Sequence, residues 1–118
     1  MAIVLCVDDD FVVANLVAEV VRFCHLEPAV ETSSIDAIAK WVRDERLVAV
    51  LADYLMPKMD GIELLQVFRE QRPSVRRVMI TAAPGEAAVR RASTEGVVQM
   101  VISKPPTIPD IRMALMWL

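Results

Sequence analysis

The chain reads as an α/β domain built on a parallel sheet, with five strands and five helices, and three observations predict it. Short apolar runs of strand length recur along the sequence, the segments between them carry polar residues at helical spacing, and helix-start signals stand at the junctions. Hydrophobic content of 55% with only 5% aromatic residues gives a core of Val, Ile, Leu, Ala and Met, enough to bury a sheet on both faces. At 118 residues, with no Gly-, Ser- or Pro-rich linker, residues 1–118 are expected to form a single domain, with any output domain lying beyond 118.

Taken in order, the first strand is expected near 2–7, over Ile3-Val4-Leu5-Cys6-Val7, and the first helix near 11–25. That helix is apolar around most of its circumference, with Asn15, Glu19 and Arg22 as one narrow polar stripe, so part of its surface is expected to meet a partner or a continuation of the chain. A second strand near 27–31 leads to a helix near 34–45, where Ser33 with Asp36 resembles a capping box. The third strand, near 47–52, precedes a helix near 61–71 that opens on Asp60 with Glu63 and is stopped by Pro73. The fourth strand, near 76–81, is followed by a helix near 85–95 with Pro84 expected in its first turn, where a missing amide hydrogen does no harm. The fifth strand, near 98–103, leads into a helix near 108–118 that opens on Thr107 with Asp110 and closes on Leu115-Met116-Trp117-Leu118. Apolar first and last helices together leave a homodimer open.

Composition also excludes functions. A net charge of −3 offers no basic face for a phosphate backbone, so direct nucleic-acid binding is not expected, and Arg76-Arg77 and Arg90-Arg91 read as solvated surface pairs. Cys6 and Cys24 match no metal or redox spacing and read as small buried hydrophobes. No apolar stretch approaches the ~20 residues of a membrane span and no basic signal-peptide start precedes Asp8, which together predict a cytoplasmic protein without membrane contact. His25, the one histidine, falls at the end of the first helix and is expected to meet the helix terminus rather than to act as a base. Trp41 and Trp117 are expected to cover apolar surface, with Trp117 as the better interface anchor.

Chemistry concentrates where strands end. Asp8-Asp9-Asp10, Asp53, Thr81 and Lys104 each close an apolar run, and in parallel sheets ligands bind outside the carboxyl ends of the strands. Alone, the acidic triplet is also readable as a solvated turn, Lys104 as an exposed loop lysine and Thr81 as a common strand-end threonine. With Asp53 on a neighbouring strand, two acids of the first strand could share a hard divalent cation, since Mg²⁺ favours a few carboxylates plus water and phosphate oxygens. A carboxylate so placed can act as a nucleophile toward a phosphoryl group, with Lys104 and the metal neutralising charge on the transferred oxygens.

Val7-Asp8-Asp9-Asp10, the stretch Asp53-Tyr54-Leu55-Met56-Pro57-Lys58-Met59-Asp60-Gly61, then Thr81-Ala82 and Lys104-Pro105 together resemble the receiver domain of response regulators in two-component signalling, over nearly the whole chain. The resemblance implies a flavodoxin-like (CheY-like) doubly wound sheet of strand order 2-1-3-4-5 flanked by five helices. It implies that Asp53 is phosphorylated, that Asp9 holds Mg²⁺ directly, with Mn²⁺ an acceptable substitute, and that Asp8 assists through water. Asp53 itself and the backbone carbonyl of Leu55 would complete the metal set. Thr81 would be the switch hydroxyl and Lys104 the phosphoryl counter-charge, with a cis Lys104-Pro105 bond.

By the same resemblance the domain accepts its phosphoryl group from a histidine kinase or histidine phosphotransfer protein, then changes its α4-β5-α5 surface for a downstream effector or a covalently linked output domain. It would catalyse only its own phosphorylation and dephosphorylation and would not be an enzyme in the wider sense. Two positions depart from the family's usual pattern: Val101 stands three residues before the lysine, where Tyr or Phe is common, and Pro106 stands where Phe is common. Leu55 and Ala83 cannot orient a water by hydrogen bonding, which predicts slow self-dephosphorylation. Two rival readings are a receiver-like interaction module that is never phosphorylated and a haloacid dehalogenase-type phosphatase using Asp8 as nucleophile. The lack of room for a cap domain and the Met-Pro-Lys-Met-Asp-Gly stretch after Asp53 weigh against the phosphatase.

Overall fold

In the computed structural model, which describes residues 1–116, every residue of β1 (Ile3–Val7) is buried, because the strand is paired on both edges and covered on both faces. The remaining elements are α1 (Phe11–Phe23), β2 (Glu27–Glu31), α2 (Ser34–Trp41), β3 (Leu47–Ala52), α3 (Gly61–Gln71), β4 (Arg76–Thr81), α4 (Ala87–Thr94), β5 (Met100–Ser103) and α5 (Ile108–Leu115). All strand pairs are parallel, in the order β2-β1-β3-β4-β5. The parallel sheet is what the alternating pattern implies, and its doubly wound order is the one the resemblance to receiver domains implies.

Period-two alternation divides the core into two layers. Val4, Cys6, Leu51, Val78, Ile80 and Ile102 face α1 and α5, meeting Val17, Ala18, Val21, Ile111 and Ala114. Leu5, Val7, Val50, Ala52 and Met79 face α2, α3 and α4, meeting Ala37, Leu64, Leu65, Phe68, Val89 and Ala92. A register shift between Ile3 and Val4 lets Leu47 join the same layer as Val50, although the two stand three positions apart. Among the described residues Phe68 is the largest fully enclosed side chain, and truncating it to Ala would cost about 3–5 kcal/mol.

Three helix starts use the side-chain caps read from sequence. Asp60 with Glu63 and Thr107 with Asp110 form reciprocal capping boxes, whereas Ser33 accepts from the Asp36 amide without a return bond. Other expectations need correction. Helix α1 stops at Phe23 because His25 takes a left-handed φ of 62° and its N–H donates back to the Arg22 carbonyl. Helix α2 ends at Trp41, not 45, and β5 starts at Met100, not 98. Pro84 is not in the first turn of α4: the Glu86 N–H donates to Ala83 O, so Pro84 occupies the second position of a tight turn, a site that suits its fixed φ. Cys6 is buried, its thiol pushed up to about 12 chiefly by desolvation, but Cys24 is only half-buried. The end of the last expected helix, including Trp117 and its proposed anchoring role, lies outside the described residues.

The largest correction concerns Arg77, which is not a solvated surface residue. It is 5% exposed, and its guanidinium donates to the carbonyls of Pro73, Val75, Gly96 and Val97 at 3.0–3.2 Å. A charge can be buried there because backbone oxygens replace the water it loses.

Candidate functional site

Strand register builds the site. Val7 pairs with Ala52, so the residues that follow them, Asp8 and Asp53, leave the sheet side by side, and the Asp53 N–H donates to Val7 O at 3.0 Å. Thr81 pairs with Ser103, which puts Lys104 beyond the same edge, its N–H donating to Thr81 O at 2.9 Å. All four chemical positions read from sequence therefore converge at the carboxyl ends of β1, β3, β4 and β5.

The acidic triplet separates into two duties. Asp10 turns aside to cap α1, accepting from the Val12 amide at 2.9 Å, and its own N–H donates to Asp8 Oδ1 at 2.9 Å. Asp8 and Asp9 are left facing Asp53, with one carboxylate oxygen from each of the three within 4.8 Å of the others. Lys104 Nζ donates to Asp8 Oδ2 at 2.9 Å and lies 3.2 Å from Asp53 Oδ2. Thr81 is buried, its Oγ1 accepting from the Ala83 amide at 3.0 Å. The Lys104-Pro105 bond is cis, and Val101 is half-buried against the α2-α3-α4 layer.

The loop after Asp53 is held from three sides. Gly61 N–H donates to Tyr54 O at 2.7 Å, Ser34 Oγ–H donates to Met59 O at 3.0 Å, and Lys58 takes a left-handed φ of 69°. Gly61 cannot carry a side chain, since a Cβ there would lie 1.9 Å from the Asp53 carbonyl oxygen. Leu55, two residues past Asp53, is 68% exposed. Next to the site runs an apolar groove of about 450 Å³ between α1 and α5, lined by Leu16, Val20, Pro105, Pro106 and Ile111 with Lys104 at its edge.

Electrostatics favour an added cation. Burial, then the charge of Asp8, raises the Asp53 carboxyl above its ordinary value, and the pull of Lys104 and the Tyr54 amide in the opposite direction does not cancel this. For Lys104, burial is the largest single influence and lowers it, yet the hydrogen bond to Asp8 and the charges of Asp53 and Asp8 together raise it. One ammonium faces three carboxylates. Hard oxygen donors in excess of local positive charge are the donor set that Mg²⁺ takes, so the residues present fit such an ion.

Sequence reasoning missed Arg77, Ser34 and the close approach at Gly61. A charged residue inside a strand of a parallel sheet, where both faces are covered, was the available sign for Arg77. His25 is exposed on the far side of α1's last turn and takes no part in the site.

The family model described as "Response regulator receiver domain" matches residues 4–116. A response regulator receiver protein of Anaeromyxobacter sp. (strain Fw109-5) is 35% identical over 107 residues, which cover 91% of this chain and 44% of that protein; the chain thus spans under half of the relative's length. Among solved structures, a CheY-like receiver domain protein from Methanospirillum hungatei JF-1 superposes with a TM-score of 0.88 at 23% identity, covering 99% of this chain and 92% of that one. Vibrio cholerae chemotaxis protein CheY4 gives 0.85 at 22% identity, covering 99% and 98%. At these identities the structural likeness speaks for the fold.

Proposed function

Because the chain belongs to the response regulator receiver domain family, a family of signalling domains, we propose that residues 1–118 act as a phosphoacceptor switch with Asp53 as the acceptor. The observation that carries this reading is the approach of the Asp8, Asp9 and Asp53 carboxylates to within 4.8 Å, with Lys104 on Asp53. In the proposed reaction an Asp53 oxygen attacks phosphorus, an O–P bond forms, and the P–N bond of a phosphohistidine donor breaks, the imidazole leaving with the electron pair and taking up a proton. Asp8, Asp9, Asp53 and the Leu55 carbonyl would hold Mg²⁺ or Mn²⁺. When bound, such an ion neutralises charge on the transferred oxygens.

The chain's own residues do the rest. Lys104, fixed by its backbone bond to Thr81, keeps a positive charge against the attacking carboxylate. The Thr81 hydroxyl, already oriented by the Ala83 amide, would donate to a phosphoryl oxygen and so carry the new charge into the loop before α4. The partners proposed are a histidine kinase or phosphotransfer protein upstream and, downstream, an effector or linked output domain reading the α4-β5-α5 surface. Among the described residues no helix is long and apolar enough to cross a membrane, and the cytoplasm is the proposed setting.

Incubation with Mg²⁺ and acetyl phosphate or phosphoramidate, followed by intact mass and peptide mapping, tests the proposal. One phosphoryl group on Asp53 supports it. A label on Asp8 would point to phosphatase chemistry, and an unshifted mass to an interaction module that works without phosphorylation.

A further inference from the structure

The two ends of α4 are held in different ways. At its C-terminal end the helix closes on Gly96, with φ of 80°, and the carbonyls of Gly96 and Val97 accept from Arg77 Nη2 and Nε at 3.2 and 3.0 Å. The same guanidinium reaches Pro73 O and Val75 O in the turn before β4, and the Arg77 backbone is bonded twice to Gln99, N–H to Oε1 at 2.8 Å and O to N–H at 2.9 Å. Among the described residues Arg77 forms no ion pair, so its charge depends on these carbonyls staying in place. At the N-terminal end no comparable side-chain hydrogen bond is present among the described residues: Glu86 makes no side-chain cap bond and residues 84–87 are exposed, the first buried residue of α4 being Val89. The loop leading into that end is tied to Thr81 itself, through the Ala83 amide.

We propose that Arg77 is a positioning residue for the switch, fixing the C-terminal end of α4 and the entry to β5 so that a change at Thr81 moves the helix only about that end. The inference rests on the phosphoacceptor reading of Asp53. Movement then begins at Ala82 and Ala83, lifts the exposed approach to α4 at residues 84–87 ahead of the buried Val89, and dies out before Gly96. The surface offered to a partner would change near Ala87 and Ala88, while Gln99 and Met100 stay in register with Arg77 and Val78.

Residue-resolved amide exchange on the 118-residue chain, with and without Mg²⁺ and beryllofluoride as the phosphoryl mimic, tests this. In the wild type, exchange is expected to change over residues 83–89 and to stay constant over 96–99. Arg77→Met, which keeps the bulk and removes the donors, is expected to speed exchange over 96–99 by roughly tenfold or more before any mimic is added and to let the mimic's effect spread there. Labelling of Asp53 by acetyl phosphate should stay at the wild-type rate, and Arg77→Lys should restore part of the protection. Equal changes at both ends of α4 in the wild type would overturn the proposal and leave the switch standing. No change at either end would overturn both. Should Arg77→Met fail to fold, the wild-type and Arg77→Lys patterns decide in the same way.

Discussion

Lys104 Nζ lies 3.2 Å from Asp53 Oδ2, and main-chain bonds on both sides set that distance: Lys104 N–H to Thr81 O, and Asp53 N–H to Val7 O. The pair is therefore a product of strand register rather than of side-chain search. Lys104→Ala leaves Asp8 and Asp53 facing each other without an ammonium. It should lower stability by about 1–3 kcal/mol in urea titrations at neutral pH without divalent ions, and it should slow acetyl phosphate labelling of Asp53.

The Asp53 carboxyl is raised above its ordinary 3.8 by burial and by Asp8. A carboxyl raised in the folded state is easier to keep protonated there than in the unfolded chain. Its contribution to stability is thus present below 3.8 and lost as pH rises through the raised folded value. Asp53→Asn removes that loss, so the variant should be more stable than the wild type at neutral pH, with the difference shrinking as pH falls through the raised folded value and levelling off once 3.8 is reached. Denaturant titrations of both proteins in chelator across that range give the measurement; a gain that is constant with pH would contradict the assigned sign.

Added Mg²⁺ should raise the unfolding temperature of the wild type, since an ion that binds only the folded carboxylate cluster stabilises it by mass action, about 2.7 kcal/mol at a hundredfold excess over its dissociation constant. Asp9→Asn should lose most of this effect while keeping its Mg²⁺-free stability. Thermal scans with and without the ion suffice.

Gly61→Ala should destabilise by roughly 3 kcal/mol or more, because the new methyl would meet a backbone oxygen, that of Asp53, which has no free rotation with which to yield. The loss should appear in chemical denaturation, and any variant that remains folded should show slower labelling of Asp53.

Self-dephosphorylation should be slow, over minutes or longer. Leu55 reaches into solvent beside Asp53 and Ala83 follows Thr81 closely, and neither side chain has a donor or acceptor to aim a water at phosphorus. A time course of acetyl phosphate-labelled protein in Mg²⁺ measures this, and complete decay within a few seconds would refute it.

What could be read from sequence was whatever local chemistry enforces. Asp8, Asp53, Thr81 and Lys104 each end an apolar run, and a parallel sheet has only one edge at which such ends gather, so their meeting followed from the pattern. Asp60 and Thr107 start helices through bonds three residues away. Arg77 carried a single sign, a charge inside a strand covered on both faces, but its partners are backbone carbonyls, those of Gly96 and Val97 far along the chain, which leave no residue-type signature. His25 ended α1 early by adopting a left-handed backbone that its identity does not advertise. Pro84 carried a real signal, but tight turns and first helical turns both want its fixed φ, and the Glu86 amide chose the turn.

Phe11, Val12, Leu16 and Phe23 of α1 are each more than half exposed, and so are Met113 of α5 and Met116 just after it. Concentrated preparations should accordingly be sticky, salting out early in sulfate and clearing with a trace of mild detergent, so crystallisation trials would do best at low ionic strength.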